Sequence, residues 1–167
     1  KWIKRAGNNK IIFLHCTTNY PCPLDEVNLR VMQTMMRELP NILIGYSDHT
    51  AEVSDAPVAA LVKGAKVIEK HITLDKQMTG PDHFFALDPQ ELKMMVKEIR
   101  DTEKKLSNGE KVPVNQTILG SHHKKINESE EYLRKFAYQT IITSTLIKKG
   151  ELISVNNVKV LRPGKLE

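Results

Sequence analysis

Two segments of this chain, Ser47-Asp48-His49-Thr50 and Glu69-Lys70-His71, each close a short apolar run. Ile42-Leu43-Ile44 precedes the first and Val67-Ile68 the second. Neutral imidazoles delivered into one pocket from the ends of neighbouring strands suit a divalent cation, and such a cation polarises a carbonyl. His49 and His71 lie one strand-helix unit apart, at equivalent places on adjacent strands. Side chains alternate along a strand, so Ser47 shares a face with His49, and Glu69 with His71, wherever strand geometry persists. Two imidazole ligands leave positions open to water and substrate, which suits a hexacoordinate Lewis-acid ion better than a closed structural zinc. Spacing alone leaves a second reading open, in which both are loop histidines satisfied by hydrogen bonds.

Other polar residues carry the same ambiguity. Asp82, in Gly80-Pro81-Asp82-His83, either serves the turn or accepts hydrogen bonds from sugar hydroxyls. Tyr20, between Asn19 and Pro21, is either loop packing or a phenol at the mouth of a pocket. His122 and His123 sit in a polar run and read as solvated, and neither His15 nor His83 is assigned a role.

The elements that must position these groups are legible from periodicity. Residues 11–16 read as a buried strand. A loop punctuated by Pro21 and Pro23 follows, and then a helical pattern from about Asp25, stopped by Pro40. Val27, Val31, Met35 and Leu39, with Met32 and Met36 beside them, form a stripe that reads as core packing. A strand over residues 42–46 leads to a helix over residues 55–63, with Pro57 in its first turn and Gly64 as its C-terminal cap. A third strand spans residues 66–71. Asp88-Pro89-Gln90-Glu91 then predicts an N-cap and capping box for a long helix with Leu92, Met95, Val96, Ile99 and Leu106 on its apolar face. Residues 11–106 therefore read strand-helix three times, the signature of parallel β/α units covered on both sides, with chemistry gathered in the loops after the strands. From Ser107 the composition changes to a linker. It is followed by two β-rich runs, residues 140–146 and 158–161, around a Lys148-Lys149-Gly150-Glu151 turn.

Composition narrows the class. The chain has 167 residues, 40% hydrophobic and 27% charged, with no apolar run near the roughly 18 residues of a membrane span. Its net charge of +5 is mild and the signs are interspersed. With 5% aromatics and no aromatic-basic interleaving, the stacking platform of a single-strand nucleic-acid binder is not evident. Cys16 and Cys22 are not spaced as a C-x-x-C pair and read as reduced thiols of a cytoplasmic protein. The start at Lys1 has no initiator Met and no apolar signal core, which implies a chain processed or excised from a longer one.

Taken jointly, four motifs make the chain resemble the sialic acid synthase family. They are Cys16-Thr17-Thr18-Asn19-Tyr20-Pro21, Gly45-Tyr46-Ser47-Asp48-His49-Thr50, Glu69-Lys70-His71-Ile72-Thr73-Leu74-Asp75 and Gly80-Pro81-Asp82-His83. The segments Ile147-Lys148-Lys149-Gly150-Glu151 and Val160-Leu161-Arg162-Pro163-Gly164 are similar to the antifreeze-like (SAF) domain that follows the barrel in that family. The resemblance implies an α/β fold, the C-terminal portion of a β/α (TIM) barrel followed by an incomplete, β-rich SAF domain. Residues 1–106 would supply the last three barrel units with the metal and sugar site, 107–131 a linker and 132–167 the start of the SAF domain.

The family is a group of transferases that condense phosphoenolpyruvate with an N-acylated aldohexose of the N-acetylmannosamine type, releasing phosphate and a nine-carbon 2-keto sugar acid. The resemblance implies that His49 and His71 bind a divalent metal, Mn²⁺ foremost with Mg²⁺ or Co²⁺ as substitutes, and that Ser47 contacts phosphoenolpyruvate. Tyr20 and Asp82 would contact the sugar, and Arg162 would reach the sugar of the other subunit in a domain-swapped homodimer. Glu69 is assigned from strand alternation, to orient His71 or a metal-bound water. Thr18 stands where some synthases carry Asn, with Asn19 one position later, and Lys165-Leu166 depart from the usual continuation of the R-P-G motif. No nucleic acid or membrane partner is expected, and the isolated chain is expected to be inactive. A legionaminate- or pseudaminate-type synthase is the alternative within the class, and a non-catalytic sugar-binding SAF module the alternative outside it.

Overall fold

Three short strands, β1 (Ile12–Cys16), β2 (Leu43–Asp48) and β3 (Ile68–Lys70), pair in parallel in the order β1-β2-β3. The computed structural model describes residues 2–162, without the side chains of residues 134–136. Helix α1 (Trp2–Arg5) precedes β1, while α2 (Arg30–Glu38) and α3 (Asp55–Val62) form the two crossovers. The chain divides into two compact units, Lys1–Lys125 and Ile126–Glu167.

The core of the first unit lies between the sheet and its crossover helices. Ile44 and Tyr46 of β2 are buried with Leu29, Met32, Ala56, Ala59 and Ala60. Small residues on α3 let its backbone approach the sheet closely. Gly45 is required where β2 passes its neighbours, because a Cβ there would meet the Val67 carbonyl oxygen and the Leu14 side chain. The expectation of a sheet covered on both sides is not met within the described residues. Ile44 and Tyr46 project onto the helices, whereas Ile12 and Leu43, of the opposite parity, are 48% and 53% exposed.

The first helix is shorter than its periodicity predicts. Residues 24–26 form a 3-10 turn, and α2 starts only at Arg30. Between them Asn28 adopts a left-handed φ of 53°, and its side chain bonds the Glu26 carbonyl and the Ser121 amide. A long-range hydrogen bond thus overrides local helical preference. Helix α4 (Pro89–Ser107) follows its sequence signals closely, with the Asp88 carboxylate accepting from Gln90 N and Glu91 N and the Glu91 side chain closing the capping box. Gly64, at φ 97°, ends the α3 region as its capping role requires.

The polar run after Ser107 is not a free linker throughout. Helix α5 (Gln116–Leu119) buries Ile118 and Leu119 in the first unit's core, and Arg30 donates to the Gly120 carbonyl at 2.6 Å. Two apolar residues in a polar context were too short a run to register as a helix. The second unit holds α6 (Glu128–Ala137) and an antiparallel pair, β4 (Thr140–Thr143) with β5 (Val158–Leu161). The turn at Lys148 is present, with Glu151 N bonded to Lys148 O. Many apolar side chains of this unit are bare, including Leu146, Leu152 and Val155 at 84–91% exposure.

Candidate active site

The candidate residues of the first unit gather beyond the C-terminal edge of the parallel sheet. The parallel register aligns Cys16 with Ser47 and Ser47 with Glu69. Regular pairing of β2 with β3 ends at Asp48 and Lys70, so His49 and His71 each stand one residue past the ladder. Their ring centroids are 5.2 Å apart with the planes perpendicular. The Tyr20 ring lies 4.2 Å from His49 and 5.9 Å from His71, at the rim of the cluster. The spacing argument that brought the two histidines together is thus matched by their placement.

His49 is buried, and its Nδ1 lies 2.7 Å from the Thr17 carbonyl oxygen. A carbonyl only accepts, so Nδ1 carries the proton and the lone pair is on Nε2. Burial holds the imidazole pKa below its ordinary 6.5, against the Thr17 hydrogen bond, which favours the charged form. The ring therefore stays neutral to lower pH than a free imidazole would, and a neutral imidazole with Nδ1 engaged is the form that ligates a cation. His71 presents Nδ1 to Asp82 Oδ2 at 3.5 Å, longer than a standard hydrogen bond, with both side chains partly exposed. Among the described residues no group of three or more His, Cys, Asp or Glu side chains is arranged to hold a metal. The two imidazoles are the groups of this cluster that could hold one, with remaining positions left to water or substrate.

Of the two orienting roles assigned to Glu69, the one toward His71 is taken by Asp82. Asp82 stands at His71 Nδ1, while Glu69 accepts a hydrogen bond from Ser47 Oγ at 2.6 Å. The reason is geometric: His71 stands one residue past the β3 ladder, whereas parallel pairing sets Glu69 beside Ser47. Its charge still acts on His49, favouring the protonated ring. Asn19 folds onto its own loop, with Oδ1 accepting from Tyr20 N at 3.0 Å. His15 is buried with Nε2 at 2.7 Å from the Val27 carbonyl, a packing role. His122 and His123 are exposed. Arg162 ends the described part of the second unit and is exposed, while Pro163 and Gly164 of its motif lie outside the described residues.

Sequence reasoning missed Phe85 and the Thr17 carbonyl. Phe85 is 2% exposed and packs 5.3 Å from the His71 ring. Its signal was the apolar Phe84-Phe85 pair inside an otherwise polar loop. A backbone carbonyl gives no signal in sequence.

A fold of parallel β/α units with two imidazoles at the strand ends defines a class, a mixed α/β scaffold with its polar groups gathered past the strand ends. The model of the NeuB family matches residues 1–111, and the chain belongs to that family, the sialic acid synthases. It is 46% identical over 163 residues to the spore coat polysaccharide biosynthesis protein SpsE of Bacillus subtilis, covering 98% of this chain and 44% of that one. It is 40% identical over 158 residues to the N,N'-diacetyllegionaminic acid synthase of Campylobacter jejuni, covering 95% and 43%. The crystal structure of Bacillus subtilis SpsE superposes with a TM-score of 0.87 over 96% of this chain and 45% of that one. The chain thus spans less than half the length of these relatives.

Proposed function

We propose that this chain is the C-terminal barrel portion and the start of the SAF domain of a synthase that condenses phosphoenolpyruvate with an N-acyl amino sugar. The placement of His49 and His71, each with Nδ1 facing an oxygen acceptor and their rings in contact across β2 and β3, carries the reading. In this reading they hold a divalent cation, Mn²⁺ before Mg²⁺ or Co²⁺, which supplies Lewis acidity toward the sugar aldehyde.

The chain's own groups then have separable tasks. Thr17 fixes the tautomer of His49 through its carbonyl. Ser47, held by Glu69, offers its hydroxyl oxygen on the phosphoenolpyruvate side. Tyr20 and Asp82 flank the imidazoles from the loop side, where sugar hydroxyls would be read. Phe85 closes the apolar floor beneath His71. In the condensation itself, C3 of phosphoenolpyruvate attacks the aldehyde carbon of the open-chain sugar. Water adds at C2, and the tetrahedral centre collapses with loss of phosphate.

Arg162 is assigned to the sugar of a second subunit, in a swapped homodimer, and the bare apolar side chains of the second unit support a docked partner. The acceptor in this reading is an N-acetylmannosamine-type sugar, with a diacetamido-deoxy sugar as the alternative; relatives are named as legionaminic, pseudaminic and N-acetylneuraminate-9-phosphate synthases. Among the described residues no helix is long and apolar enough to cross a membrane.

The test is phosphate release from phosphoenolpyruvate with either sugar, by the 167-residue chain and by a chimera that sets it behind the upstream portion of Bacillus subtilis SpsE. The expected result is turnover by the chimera with added Mn²⁺, abolished by His49→Ala, and none by the chain alone. A folded chimera that binds either sugar with no dependence on a divalent ion and no turnover would replace this reading with a sugar-binding module.

A further inference from the structure

Behind the imidazoles, on the opposite face of the same two strands, lies a buried ion pair that nothing in the proposed chemistry uses. Lys70 Nζ is 2.7 Å from Asp48 Oδ2, with the side chains 2% and 0% exposed. The ammonium also donates to the Thr50 carbonyl at 2.6 Å and the Glu52 carbonyl at 2.8 Å, which fills its three donors, with the Thr50 hydroxyl at 3.3 Å as a fourth neighbour. Asp48 Oδ1 in turn accepts from the Tyr46 hydroxyl at 3.1 Å and from Thr50 N at 2.9 Å. Burial, aided by the Asp48 charge, pushes the Tyr46 phenol well above its ordinary range, so it remains a donor.

The network sits where the backbone stops holding the two histidines together. The β2–β3 ladder ends at Asp48 and Lys70. Past that point the main-chain bonds of the two residues run to different partners. His49 O accepts from Cys22 N and its ring faces Thr17 on the β1 side, whereas His71 O accepts from Leu87 N on the other side. Lys70 spans the gap. It immediately precedes His71, and its ammonium grips both residues that flank His49, Asp48 and Thr50. A buried pair of this kind is weak evidence for stability, since apolar residues of similar volume stabilise a fold equally well. Its placement is better explained by register.

We propose that Lys70, through its buried bonds to Asp48, Thr50 and Glu52, is a positioning residue that sets the spacing of His49 and His71. The proposal rests on the reading of those two imidazoles as metal ligands, and it makes a claim about the metal-free chain as well. The experiment is a comparison of the full 167-residue chain with Asp48→Asn/Lys70→Met, which removes both charges together and avoids a stranded carboxylate. The readouts are ring-to-ring contacts of the two imidazoles by NMR without metal, and Mn²⁺ affinity by titration. The expected result is a folded double variant with a weakened ring contact and Mn²⁺ binding about 10–100-fold weaker, as for other groups that orient metal ligands. Affinity within about twofold of the parent would overturn the proposal. Should the double variant not fold, Tyr46→Phe decides: it removes one hydroxyl from Asp48 and is expected to weaken Mn²⁺ binding measurably, and unchanged binding overturns the proposal. Absence of Mn²⁺ binding by the parent chain would instead sink the metal reading. The metal-free ring contact then judges the positioning role by itself, and an unchanged contact refutes it.

Discussion

The two faces of the β2 and β3 ends are built to different standards. In front, Ser47, His49, Glu69 and His71 meet Tyr20, Asp82 and Phe85 through ring contacts, one short hydroxyl-carboxylate bond and a His71–Asp82 contact at 3.5 Å, and His71 and Asp82 remain partly exposed. Behind, Asp48, Lys70, Thr50 and Tyr46 are joined by short hydrogen bonds out of reach of solvent. A site that admits substrate must leave polar groups with spare valence. The layer that supports it has no such need, and an unpaired group there costs most.

That contrast makes removal of one back-face charge the most damaging change. Lys70→Met should destabilise the first unit by about 3–5 kcal/mol, because the Asp48 carboxylate is left buried without its counter-charge. Urea unfolding measures it, and a loss equalled by His49→Ala would erase the distinction between the faces. Next in size is Gly45→Ala, which should cost about 1–3 kcal/mol, since the new methyl meets the Val67 carbonyl and Leu14 Cδ2 at 2.4–2.5 Å. Thermal unfolding reads this directly, and a neutral outcome would mean that the front of the sheet yields more easily than its packing indicates. Ser47→Ala should cost only about 0.5–1.5 kcal/mol, the net value of one hydrogen bond, because Glu69 is exposed and regains water. A larger loss would show the front face to be as tightly determined as the back.

The smallest effect is one of pH. The folded pKa of His49 lies below the unfolded value of 6.5, so between the two the unfolded chain binds the extra proton. Stability should therefore be complete above about pH 6.5 and decline as pH falls through that window toward the folded pKa. His49→Gln should flatten this slope in denaturant titrations at several pH values. An NMR titration that places the His49 midpoint above 6.5 would contradict the burial argument.

Much of this was legible in the residues. Asp88-Pro89-Gln90-Glu91 announced the start of α4, because capping is a local contest between side chain and backbone. Three apolar runs separated by helical patterns announced parallel strands, and one-unit spacing brought His49 beside His71. Alternation put Glu69 on the face of His71 but could not name its partner, because Ser47 lies on the neighbouring strand, and periodicity failed near Asn28 because Ser121, distant in sequence, decides the backbone there. Ile118 and Leu119 were lost in a polar context, although they complete the core.

The sequence by itself therefore determined the strand-helix order of the first three units and which residues could do chemistry, since propensity, capping and alternation act over a few residues. Only the tertiary structure decided which groups orient those residues. The Thr17 carbonyl at His49, Asp82 at His71 and the Lys70 ammonium between the strands are all long-range pairings. Nothing within a turn of helix or a pair of strand residues specifies such partners, because their geometry exists only once separate strands and loops have packed together.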